Sequence, residues 1–237
     1  MTKYKIVLVA FLLNLKAFSQ NFKENEVILF ETNNISTNYY VYEPPFAARG
    51  IYKDTLEAVN NFPEQVLSSI VSSTSYAWDK YNYLNGETPA KSKSHYEKAI
   101  QLNKYNNYFE LRSKYEFFNG ENPCAFIKFH IKFEELKVPA GGFRILEKVN
   151  GRWYVSLIPN FAAVPYLLFW FKEVRMLELL TGKSNGNILS DKLIAQTRDS
   201  NGNLDFEKLG DEVTIILKEG KTSERFKYFI DEIAFNY

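Results

Sequence analysis

From Tyr108 to Ile158, apolar and polar side chains alternate with a period of two, and the alternation reverses at two Asn-Gly turns; nothing else in the chain restricts its fold as much. Phe109, Leu111, Ser113, Tyr115 and Phe117 share one parity, and Glu110, Arg112, Lys114 and Glu116 share the other. Asn119-Gly120 turns the chain back, and Ile127, Phe129, Ile131 and Phe133 then alternate with Lys128, His130, Lys132 and Glu134. A second hairpin joins Phe143 to Val149 with Arg152 to Ile158 through Asn150-Gly151. Such strands predict an antiparallel sheet with one apolar face, which helices must cover.

Helical signals lie on both sides of this block. Pro63 stands at a first helical position, and Val66, Leu67, Ile70 and Val71 form a stripe that runs to about Ser73. Further helices are expected over Tyr76 to Leu84 and His95 to Leu102, after short extended pieces at Glu26 to Glu31 and Tyr39 to Tyr42. Phe161 to Leu180 reads as one packed helix ended by Gly182, because Pro159, Asn160 and Pro165 leave too short an apolar span for a bilayer. Beyond it, Ser184-Asn185-Gly186-Asn187 and Ser200-Asn201-Gly202-Asn203 predict two turns, with a strand over Val213 to Leu217 and a helix over Glu224 to Phe235. The fold class is therefore α+β, a curved antiparallel sheet wrapped on N-terminal helices with an added C-terminal helix and a polar accessory segment.

The first nineteen residues read as an address. Lys3 and Lys5 precede the apolar run Ile6 to Leu15, and Ala17-Phe18-Ser19 supplies the small residues of a signal peptidase site, so cleavage is expected before Gln20. The organisation is then a signal at 1–19, an N-terminal extension at 20–54, the α+β body at 55–160, a packed helix at 161–182 and an accessory segment at 183–237. Localisation is expected to be secreted or periplasmic, with no transmembrane span after signal removal. Loss of Lys3, Lys5 and Lys16 leaves 26 cations against 28 anions, which disfavours nucleic acid as a partner. The lone Cys124 forms no internal disulfide.

Helices followed by two hairpins, ending in Phe143-Arg-Ile-Leu-Glu-Lys-Val-Asn-Gly-Arg-Trp-Tyr-Val-Ser156, resemble the nuclear-transport-factor-2-like superfamily with its SnoaL-like members. The resemblance covers roughly Thr55 to Ile158. It implies a cone enclosing a pocket, which members use as isomerases, dehydratases or hydrolases, or simply to bind a ligand or protein. Fold alone does not choose among these.

The residues offer few candidates for chemistry. His95, His130 and Cys124 do not make a zinc set, and no cofactor motif is present; Ala140-Gly141-Gly142 reads as a flexible strand entry. Asp199, Asn201, Asn203 and Asp205 alternate as calcium ligands do, but Leu204 and Gly210 stand where a calcium loop needs Gly and Glu. Tyr39, Tyr40 and Tyr42 fit strand packing, with a sugar-binding platform as the alternative. By parity Glu147 shares a face with Phe143, Ile145 and Val149, which makes it the candidate base, with Tyr115 beside it. Ser113, Tyr115, Phe129, Glu147 and Trp153 are the expected ligand-binding set. An exported, non-enzymatic module with an apolar, aromatic pocket is favoured over an isomerase or dehydratase using Glu147, and over an immunity or interaction protein. The partner classes are a small apolar ligand, a protein, or a second copy of the chain in a homodimer.

Overall fold

The computed structural model describes residues 24–32, 35–88, 91–137, 140–158, 163–184 and 186–220. The expected signal at 1–19 and terminal helix at 224–235 lie outside them. Among the described residues six strands form one antiparallel meander in chain order: β1 Glu24–Thr32, β2 Ile35–Arg49, β3 Tyr108–Asn119, β4 Asn122–Lys132, β5 Ala140–Val149 and β6 Arg152–Val155. Helices α1 Pro63–Ser72, α2 Tyr76–Tyr81 and α3 Lys93–Gln101 separate β2 from β3. Helices α4 Ala163–Trp170, α5 Glu173–Thr181, α6 Ile188–Gln196 and α7 Phe206–Gly220 follow β6. No helix among the described residues is long and apolar enough to cross a membrane.

The helix starts follow the local chemistry of the chain. Pro63 opens α1, and the Gln65 side chain accepts from the backbone N–H groups of Asn61 and Phe62 at 2.7 and 3.2 Å. Ser75 and Ser92 cap α2 and α3 by accepting from Trp78 and His95 N–H groups. The edge of β6 is not left open. Trp153 N–H donates to the Asn60 carbonyl at 2.9 Å and Val155 N–H to the Asn82 carbonyl at 2.8 Å.

Both faces of the sheet are covered, where the alternation led us to expect a single covered face. On one side Phe109, Leu111, Ile127, Phe129, Leu146, Trp153 and Val155 pack with Val66 and Leu67 of α1. On the other, Tyr115, Phe117, Cys124, Phe126, Phe143 and Ile145 pack with Val164, Leu168, Leu179, Leu209 and Val213 of the C-terminal helices. β4 and β5 bury apolar residues on both faces, and a bulge carries β3 from one face to the other. Leu111 pairs with Phe129 but Ser113 with Lys128, so Arg112 is an extra residue in β3 and the parity of the strand reverses there. Phe109 and Leu111 therefore face α1, whereas Tyr115 and Phe117 face the opposite layer.

The reversal also turns Lys114 inward, beneath α1. Its ammonium lies 2.6 Å from Glu64 and 2.7 Å from Glu116, and Tyr42 donates to Glu64 at 2.5 Å. Burial pulls the Lys114 pKa down, but the two carboxylates outweigh it and the net shift is upward. On the other face buried Lys128 donates to the carbonyl of Phe171.

Three further expectations are corrected. The expected helix over Phe161 to Leu180 is, in its described part, two helices, Ala163–Trp170 and Glu173–Thr181, interrupted at Phe171 and Lys172, where Phe171 is fully buried and its carbonyl is given to Lys128. Val213 to Leu217 is helical, part of α7, since Leu209, Val213 and Ile216 are buried at spacings of four and three that only a helix aligns. Gly141 and Gly142 belong to β5 and are tightly packed: a β-carbon at the first would collide with the Phe169 ring, and at the second with Phe129 on the other face.

Candidate functional site

The ladder between β2 and β3 opens where the chain reads Tyr42-Glu43-Pro44-Pro45. Val41 pairs with Ser113 and Phe46 with Leu111, so four residues of β2 span Arg112 alone. Consecutive prolines have no N–H to give to a ladder, which accounts for the departure. The gap is a cleft of about 310 Å³, lined on β2 by Tyr39, Val41, Tyr42, Glu43 and Pro45. Arg112 and Ser113 line it from β3, and Glu173 from the first turn of α5.

Packing holds its walls in place. The Tyr39 ring stacks on Tyr115 at 4.7 Å between centroids, and its hydroxyl donates to Glu173. Arg112 is held from outside the cleft: Nη2 lies 2.6 Å from Glu110, and Nε donates to His130 Nδ1 at 3.3 Å. Burial and then the Glu173 carboxylate raise the pKa of Tyr39 far above a phenol's usual value. Tyr115 is raised as well, by burial first and then by Tyr39 and Glu173. Both phenols therefore keep their protons at neutral pH, and Tyr39 acts as a donor to Glu173.

The residues singled out from sequence divide between the two faces. Ser113 lines the cleft, with Tyr115 behind it, stacked on Tyr39. Glu147 keeps the parity of Phe143 and Ile145 and is half-buried, paired across the sheet with Cys124 and Tyr154, outside the cleft lining. Phe129 and Trp153 lie on the opposite face, at 0% and 6% exposure, packed among α1 side chains and Tyr83. Sheet thickness thus separates them from Ser113, Tyr115 and Glu147.

Asp199 and Asp205 organise local backbone. The Asp199 carboxylate accepts from the N–H groups of Asn201 and Asn203 at 2.8 Å, while Asp205 accepts from those of Glu207 and Lys208 at the start of α7. Among the described residues no cluster of His, Cys, Asp or Glu is placed to hold a metal ion. His130 has its pKa lowered by burial and then by Arg112, against the pull of Glu110. Burial, followed by the charge of Glu147, pushes the Cys124 thiol up to about 12.

Arg112 and Glu173 were not apparent as site residues in the sequence, and Tyr39 entered only through the alternative of a sugar-binding platform. The available signal was Pro44-Pro45 interrupting a tyrosine-rich strand, which marks a break in the ladder without showing what faces it. No protein-family model matches the chain, and neither a curated protein nor a solved structure does.

Proposed function

We propose that the protein is an exported binding module that holds a small ligand, or a partner's side chain, in the cleft between β2, β3 and α5 without turning it over. The observation that carries this reading is the cleft itself, in which Tyr39, Ser113 and Glu173 present polar groups beside Val41 and Pro45. Concave sites that mix apolar walls with a few convergent polar groups are where small ligands bind, and about 310 Å³ is at the small end of their range.

Several features support binding over catalysis. The phenols are held protonated, the Cys124 thiol is buried and far from its thiolate, and Glu173 is committed to Tyr39. Export is part of the proposal, supported by the Lys3 to Ser19 pattern. So is kinship with the nuclear-transport-factor-2-like superfamily, supported by three helices followed by two hairpins closing on Trp153.

A crystal structure of the protein purified from its own host tests the reading. Co-purified density between Tyr39, Ser113 and Glu173, absent from the Glu173→Gln variant, is the expected result. Density elsewhere in the molecule, with the cleft holding only water in both proteins, would overturn it.

A further inference from the structure

Taking the cleft as the binding site, we infer that its ligand is an organic cation, a primary ammonium or guanidinium group carried on a short apolar stem. Glu43 and Glu173 line the cleft against one cation, Arg112, whose charge is already countered by Glu110 at 2.6 Å. The lining contributes no lysine, and the balance inside is negative. A carboxylate or phosphate ligand would have to share Arg112 with Glu110 while facing two further carboxylates; an ammonium meets no such repulsion.

The aromatic walls favour the same class. Tyr39 and Tyr42 line the cleft, and the Tyr39 ring is fixed by its stack on Tyr115. The faces of tyrosine rings attract ammonium and guanidinium groups. One residue along β3 from Ser113 the chain assembles this donor set for its own use. The Lys114 ammonium sits 4.5 Å from the centre of the Tyr40 ring and within 2.7 Å of two carboxylates, Glu64 and Glu116. The cleft lining likewise holds two tyrosines and two acids, Glu43 and Glu173, with Val41 and Pro45 added as contacts for a stem.

The test follows the Val41 methyl resonances of the protein during titration with n-butylammonium, n-butanol and butyrate. Saturable Val41 shifts are expected with n-butylammonium, with a Kd about tenfold or more below that of n-butanol. The advantage of the cation should fall to about twofold in Glu173→Gln. Glu43→Gln, at an exposed position, supplies the same comparison should Glu173→Gln fail to fold. A capped Gly-Lys-Gly peptide binding more tightly than n-butylammonium would support a partner's lysine as the source of the cation, and the reverse order a free amine. Shifts driven by butyrate or n-butanol in preference to n-butylammonium would overturn the charge assignment while leaving the cleft as a site. Val41 resonances unmoved by every probe would overturn the site along with it.

Discussion

Asn119, the last residue of β3, clasps the backbone of Leu204 with both ends of its amide. Nδ2 donates to the Leu204 carbonyl and Oδ1 accepts from the Leu204 N–H, each at 2.8 Å and across 85 residues of chain. Leu204 itself is 3% exposed and joins the core beneath the C-terminal helices. The polar segment after Gly182 is thus bound to the sheet and helps cover its second face.

Asn119→Ala leaves the Leu204 backbone groups without these partners, and is expected to lower stability by about 1–3 kcal/mol. Amide exchange should accelerate over α6 and α7 more than over β4 and β5. Uniform acceleration across the sheet and helices alike would mean that the segment does not respond to this clasp.

Trp153→Ala removes a large side chain from the layer between β6 and α1, where Val66, Leu67 and Val155 surround it. The expected loss is about 3–5 kcal/mol, read from the urea midpoint. An unchanged midpoint would place Trp153 outside the core and reverse the face assignment of β6.

The strands and the first helices were legible because they obey local rules: period-two alternation between Asn-Gly turns, Pro63 before an apolar stripe, Ser75 and Ser92 at helix starts. The bulge at Arg112 was not, because Leu111-Arg112-Ser113-Lys114-Tyr115 alternates without a break while the partner strand skips a residue. Coverage of both faces was hidden for a related reason. Lys114 and Lys128 mark a solvated face by type, yet both are buried and satisfied by distant partners, Glu64 and Phe171. Val213 to Leu217 has the β-branched composition of a strand, and only tertiary burial at Leu209, Val213 and Ile216 decides for a helix. The candidate site was least legible. Parity kept Ser113 with Tyr115 but also grouped it with Phe109 and Leu111, which the bulge puts on the opposite face, and Glu173 is brought to Tyr39 across 134 residues by the break between α4 and α5.

Cys124 makes stability depend on alkaline pH. Its thiol is pushed from 9.0 to about 12 in the folded chain, so between those values the folded state retains a proton that the unfolded state gives up. The stabilisation is fully present below pH 9 and is lost as pH rises toward 12. Between pH 8 and pH 11 the wild type should lose on the order of 1–3 kcal/mol more stability than Cys124→Ala. Equal losses in the two proteins would show that the thiol does not titrate differently on folding.

Binding without turnover is tested by following the compound recovered from the cleft during prolonged incubation with catalytic and stoichiometric amounts of protein. The compound should return chemically unchanged from the wild type and from Glu147→Gln, while Glu173→Gln should lose affinity by about tenfold or more. Conversion of the compound by the wild type, abolished in Glu147→Gln with its fold and binding intact, would rule out binding alone and make Glu147 a catalytic base.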